Sequence, residues 1–205
     1  MPETEINKAA LEPLYAPWEE PTRYRDRAAQ EDQPPALFTG RRPSSMAIVN
    51  NLRHALDDWR RNDYIGASDT TRELLNYWFQ SEHVFNNANG DAQQFSYYFC
   101  QREAVETLIY LMEVRGLRTL SEFTAEFGGD YADLAAEGIT PEEDLWPRYA
   151  FRMATGSGKT KVMSLAITWS YFHALRESDS PMAKNFLVIA PNLTVFERLK
   201  KDFGD

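Results

Sequence analysis

The residues best suited to chemistry lie in one run, Met153-Ala154-Thr155-Gly156-Ser157-Gly158-Lys159-Thr160. Gly156, Ser157 and Gly158 carry little or no side chain, so their backbone N–H groups can close around phosphate oxygens. A helix opening at about Lys159 would aim the positive end of its dipole at the same point. Lys159 can reach the β- and γ-phosphates and is the expected catalytic residue, while Thr160 offers a hydroxyl ligand to Mg²⁺. Thr155, Gly156, Ser157, Gly158, Lys159 and Thr160 are therefore the expected nucleotide-binding residues. The cofactors they imply are a nucleoside triphosphate, read here as ATP, and Mg²⁺. The consensus for such a loop is Gly-x-x-x-x-Gly-Lys-Ser/Thr, and this chain has Met153 where the first glycine stands. The bland alternative is a Gly-rich turn with no ligand. The neighbouring sequence speaks against it, because the loop joins a segment able to form a strand to a strongly helical one.

The elements that must position this loop can be read from periodicity. Tyr149 to Ala154 can form a short strand, and Val162, Leu165, Ala166, Trp169 and Phe172 mark a long helix after the loop. Phe186 to Ala190 is an apolar run without polar alternation, as expected of a parallel strand buried on both faces. Leu193 to Phe203 then reads as a helix. Strand, loop, helix, strand and helix open a doubly wound α/β lobe. Further upstream, Ile48, Leu52, Leu56 and Trp59 predict one helix. A second starts near Thr70, where Thr70 and Glu73 have capping-box spacing. Asn86 to Asp91 reads as a polar loop. A third helix runs from Gln101 to about Arg115, with Gly116 as its stop. Short helices are expected near Ser121 and Tyr131, and Thr140-Pro141-Glu142-Glu143 resembles another helix start. Seven of the eleven prolines fall in residues 1–45. That stretch reads as an extended arm with a short helix near Ala9, its Leu14, Tyr15, Trp18, Leu37 and Phe38 packing along a folded surface.

Composition sets the wider limits. The chain has 205 residues, 43% hydrophobic, with a net charge of -9. Residues 1–145 carry -13 of that charge and residues 146–205 carry +4, so the candidate phosphate loop lies in a locally basic segment. Residues 1–10 lack an apolar signal-peptide core. No apolar run approaches the roughly 20 residues that span a bilayer. Cys100 is the only cysteine, which excludes an internal disulfide and favours a cytoplasmic location. Its expected role is buried packing. His54, His83 and His173 lack ligand spacing. Glu142, Glu143 and Asp144 fit the acidic first turn of a helix better than a metal site.

Three elements together carry a family resemblance. Met153 to Thr160 resembles motif I of superfamily 2 helicases and translocases. Phe186 to Arg198 (FLVIAPNLTVFER) resembles motif Ia, and Phe99 to Ala104 (FCQREA) resembles the glutamine motif. The closest likeness is to the helicase-nuclease (Res) subunit of type III restriction enzymes, covering roughly residues 95–115 and 148–205. The resemblance implies a helical N-terminal region (46–145) followed by the first part of a RecA-like lobe with a parallel sheet (146–205). The 32 residues between the two matched parts are read as an insertion. It implies that Gln101 reads adenine, which a side-chain amide suits because it donates and accepts at once. The alternative reading of Gln101 is a solvated residue at a helix start. The resemblance also implies that Asn192, Thr194 and Arg198 contact the nucleic-acid backbone. The competing reading is the solvated face of an amphipathic helix.

Two functional readings remain open at this level. One is the N-terminal part of an ATP-dependent DNA translocase or helicase of a restriction system, with double-stranded DNA and a modification or specificity subunit as partners. The other is a nucleotide-binding module, truncated or split, acting through a partner without catalysis of its own. No Asp-Glu-x-His or similar acid pair follows the motif Ia segment within these residues. No Pro-Asp…Glu-x-Lys nuclease arrangement occurs either.

Overall fold

The computed structural model describes residues 12–25, 37–87, 89–128, 147–190 and 193–203. Helix α1 is a single turn, Glu12–Tyr15. Strands β1 (Arg23–Arg25) and β2 (Leu37–Thr39) pair antiparallel, with Tyr24 opposite Phe38 and their rings stacked. Helices α2 (Ala47–Arg61) and α3 (Asp69–Gln80) follow, then the hairpin of β3 (His83–Asn86) and β4 (Ala92–Phe95). Helix α4 (Phe99–Ile109) runs into a π-helical turn, Tyr110–Val114, where the Arg115 N–H donates to the Tyr110 carbonyl at 2.9 Å. Helices α5 (Leu120–Phe127), α6 (Lys159–Arg176) and α7 (Leu193–Phe203) complete the set.

The long helices form where the periodicity places them. Ile48, Leu56 and Trp59 of α2 are buried. The cap of α3 is Ser68, whose hydroxyl accepts from the Thr71 N–H at 3.2 Å, and Thr70 lies inside the helix as a buried residue. Helix α6 packs on α3 and α4. One core joins Leu56, Trp59 and Tyr64 to Leu75, Val105 and Ile109, and continues into Val162, Leu165 and Trp169 of α6.

Two carboxylates brace this core, Glu106 fully buried and Glu113 partly so. Glu106 of α4 accepts from Arg60 Nε at 3.0 Å and Nη2 at 2.6 Å, from the Tyr64 hydroxyl at 2.7 Å and from Arg102 Nε at 2.7 Å. Burial alone would lower the Arg60 guanidinium, but the hydrogen bonds and charge of Glu106, with Asp57, outweigh it and raise its pKa. Burial, then the Glu106 charge, raises the Tyr64 phenol. Glu113, in the π turn, accepts from the Ser68 N–H and the Thr71 hydroxyl, each at 2.6 Å, and from the Trp169 indole at 3.2 Å. Ser68 precedes α3 and Trp169 belongs to α6, so this carboxylate ties the phosphate-loop helix to the helical region before it.

Several expectations are corrected. Among the described residues both sheets are two-stranded and antiparallel, and no parallel sheet is present. Tyr149–Ala154 and Phe186–Ala190 carry no strand pairing. Leu187 is 86% and Ile189 81% exposed, where an interior strand would bury both. A strand exists only through a hydrogen-bonded neighbour, and neither segment has one among the described residues. The polar loop expected at Asn86–Asp91 does form, as the tip of a hairpin: the Asn87 side-chain oxygen accepts from the Asn89 and Asp91 N–H groups, and Gly90 supplies φ +86°. Leu14, Tyr15, Trp18 and Phe38 are exposed, so they do not pack the arm onto the body. The arm is held instead by the Pro17 carbonyl, which accepts from the Phe99 N–H at 2.7 Å, and by Arg41, paired with Glu103. The helices expected near Ala9, Tyr131 and Thr140 lie outside the described residues. Among the described residues, no helix is long and apolar enough to cross a membrane.

Candidate functional site

The run from Thr155 to Thr160 forms a turn that leads directly into α6. Gly156 and Gly158 both adopt positive φ, +82° and +79°, conformations that exclude most side chains. Gly158 is also the N-cap of α6 and offers no side chain to satisfy the helix's first N–H groups. At Gly156 a Cβ would meet open space, whereas at Gly158 it would fall 2.2 Å from Gln101 Nε2. Ser157 closes the turn: its N–H and hydroxyl both donate to the Ala154 carbonyl, at 3.3 and 2.7 Å. Lys159 Nζ folds back onto the Met153 and Ala154 carbonyls at 3.1 and 3.0 Å. The result is an uncapped helix start, two glycines that keep the backbone open, and an ammonium held beside them. These are fitting donors for a phosphate chain.

A family-level comparison matches residues 94–205 to the family described as type III restriction enzyme, res subunit. The chain belongs to this family. The match spans more than half of the 205 residues and takes in the last two residues of the hairpin's second strand, α4, the phosphate loop and α6. No curated protein and no solved structure matches the chain significantly. The Res-subunit family implies a RecA-like domain and a helicase-like, ATP-dependent function within a restriction system.

Gln101 is an expected site residue that lies far from the loop in sequence and against it in space. It is buried, at the third position of α4. Its Oε1 accepts from the Tyr98 N–H at 3.0 Å, and its Nε2 donates to the Ser157 carbonyl at 2.8 Å. The solvated reading is thus corrected: the amide bridges the start of α4 to the phosphate loop. Gln101, Gly156 and Gly158 also line a cavity of about 750 Å³ with Trp18, Phe85, Phe95 and Tyr98. The cavity residues from the arm and hairpin were not legible as site residues, since aromatics scattered over 80 positions carry no shared spacing.

The remaining expected site residues divide differently. Helix α7 forms as read, but Asn192 lies outside the described residues, as do the side chains of Thr194 and Arg198. Cys100 is exposed, not a packing residue, and partial burial of its thiol pushes its pKa up, opposite to an activated nucleophile. Buried His173 meets the Ser180 hydroxyl at 2.7 Å through Nδ1 and Glu113 at 3.5 Å through Nε2. Among the described residues, no group of His, Cys, Asp and Glu could hold a metal ion. Glu142, Glu143 and Asp144 lie outside those residues.

Proposed function

We propose that this chain is the ATP-binding, N-terminal part of a DNA helicase or translocase of a type III restriction system. The observation that carries the reading is the phosphate loop, with Gly158 at positive φ opening an uncapped α6 and Lys159 beside it. In this reading the backbone of residues 155–160 cradles the phosphates and Lys159 neutralises them. Thr160 would supply one hydroxyl to Mg²⁺, which would neutralise charge on the phosphates. Gln101 keeps one amide hydrogen and one lone pair for the edge of adenine beyond its two bonds.

The same reading divides the chain into an arm (1–45), a helical region with the glutamine motif (46–145) and the opening of a RecA-like lobe (146–205). Tyr149–Ala154 and Phe186–Ala190 would enter a parallel sheet once neighbouring strands are supplied. Asn192, Thr194 and Arg198 would then meet the backbone of double-stranded DNA, with a modification or specificity subunit as a further partner, in the cytoplasm. Titration with a fluorescent ATP analogue tests the core of the proposal. Lys159→Ala should weaken binding at least tenfold, because a hydrogen bond to a charged group contributes about 1.5–3 kcal/mol. Equal affinity of the two proteins would remove Lys159 from the site.

A further inference from the structure

Charge in the first 145 residues is unevenly placed. They carry -13 in all, yet residues 23–61 hold eight Arg against five Asp+Glu, a net +3. Every cation in that stretch is an arginine and none is a lysine. The planar guanidinium offers a phosphate two parallel donors, which a lysine ammonium cannot do. Screening over about 10 Å at ordinary ionic strength lets such a cluster act despite an acidic total. These residues precede the matched span 94–205, so what the family implies about DNA does not reach them.

The fold gathers the described part of this stretch into one place. Arg41 and Arg42 follow Gly40 at the end of β2, and Arg53 and His54 stand on α2. The four line a cavity of about 340 Å³. Arg53 Nη1 donates to the Arg42 carbonyl at 3.1 Å, which ties α2 to the arm and uses one of the five guanidinium N–H donors. Arg41 anchors the wall: it pairs with Glu103, and its guanidinium carbon lies 5.0 Å from the centre of the Phe99 ring. Asp57 also lines the cavity, but its carboxylate is paired with Arg60 at 2.9 Å.

An aromatic platform adjoins the cavity. Tyr24 of β1 and Phe38 of β2 are cross-strand partners, their rings stacked at 5.4 Å and 22°. Phe38 is 42% exposed. Arg42 joins the two features, since it lines the cavity and holds its guanidinium carbon 5.9 Å from the Tyr24 ring centroid. Cations that follow a backbone and rings that take bases are the two ingredients of a surface for unpaired nucleic acid. A small phosphate compound would use the cavity and leave the rings bare. A duplex would present phosphates but keep its base faces stacked inside.

We propose that the β1–β2 ribbon and the first half of α2 bind single-stranded DNA, with Arg42 and Arg53 on its phosphates and Phe38 stacking on a base. The site shares no residue with the phosphate turn or with α7, and it requires no nucleotide.

Fluorescence anisotropy of the full chain with a labelled oligodeoxynucleotide of about 12 nucleotides, without ATP, tests this. The parent should bind with an affinity that falls as salt rises. Arg42→Glu is at an exposed position, and Arg53→Gln keeps a donor for the Arg42 carbonyl. Each should weaken binding and reduce the slope against log salt by about 0.7 or more. Phe38→Ala should lose about tenfold with the slope unchanged, which a purely ionic surface would not show. The same sequence as a duplex should bind more weakly and be indifferent to Phe38→Ala. Unchanged affinity in all three variants overturns the proposal, as does a parent that binds no oligonucleotide. Equal losses for single strand and duplex, with Phe38→Ala silent, overturn it in favour of a duplex-backbone surface. Loss confined to Arg198→Ala assigns the DNA to α7 alone and overturns it as well.

Discussion

Removing the Glu106 carboxylate isolates a buried electrostatic element of the core. In Glu106→Ala, four hydrogen bonds disappear at once, and the guanidiniums of Arg60 and Arg102 are left facing each other across the space it occupied. Breaking a buried ion pair from one side costs about 3–5 kcal/mol, because the abandoned charge stays desolvated. The Arg60 and Arg102 side chains retain 15% and 24% exposure, so each can turn partly to water. That places the expected loss at the lower end, about 3 kcal/mol. Domains of this size are stable by about 5–15 kcal/mol, so the variant should remain folded but weakened. Urea unfolding followed by tryptophan fluorescence measures it, with the slope unchanged and only the midpoint moved. Arg61→Ala serves as the reference. Its pair with Asp58 is exposed on both sides, and its removal should change stability by less than about 1 kcal/mol. A Glu106→Ala loss no larger than that of Arg61→Ala would refute the argument that this carboxylate braces the core.

Gly158→Ala should abolish nucleotide binding. It places a Cβ 2.2 Å from Gln101 Nε2 and adds about 1–2 kcal/mol of left-handed backbone strain. Pairing it with Gln101→Ala relieves the overlap but not the strain, so binding should recover only in part, and full recovery would contradict the role of φ. Glu177 lies below the usual carboxylate range because the Thr70 hydroxyl and N–H donate to it, the N–H at 3.1 Å. Its folded pKa is thus below its unfolded one, so its contribution is complete above about pH 4.5 and is lost as pH falls through the folded value. Glu177→Gln should flatten the acid limb of Tm against pH, and an unchanged limb would count against this. Finally, these 205 residues should bind Mg-ATP without turning it over, since they contain no Asp-Glu-x-His to hold the metal and orient water. Phosphate release that is stimulated by DNA and lost in Lys159→Ala would show that other residues here fill those roles.

What could be read from sequence was whatever a single element decides for itself. Helix α2 announces itself through Ile48, Leu52, Leu56 and Trp59, and the phosphate turn through glycines that no other residue replaces cheaply. The start of α3 was misplaced by two residues because Ser68 and Thr70 are both competent caps, and only the fold chooses between them. The hairpin escaped notice since Ala92-Gln93-Gln94-Phe95 has little strand propensity and draws its order from pairing with His83–Asn86. Phe186–Ala190 failed in the opposite sense: its propensity is high, but propensity cannot supply a neighbour. Glu106 and Gln101 are polar residues at buried positions, and Glu113 is one at a partly buried position. Each has a partner 42 or more residues away on another element, which periodicity cannot reveal.

Helix α6 begins at the phosphate turn and, within three turns, delivers Val162, Leu165 and Trp169 to the core it shares with α2, α3 and α4. That core makes the phosphate turn an anchor point of the whole helical body. Free energy released by an anion at the N-terminus of α6 is credited to the entire packed unit, in the amount RT ln(1 + [L]/Kd), about 2.7 kcal/mol at a hundredfold excess over Kd. Emptying the turn and melting the helices are accordingly linked equilibria. Occupancy at one end of α6 is legible as heat resistance at residues such as Leu75 and Ile109, which no ligand touches.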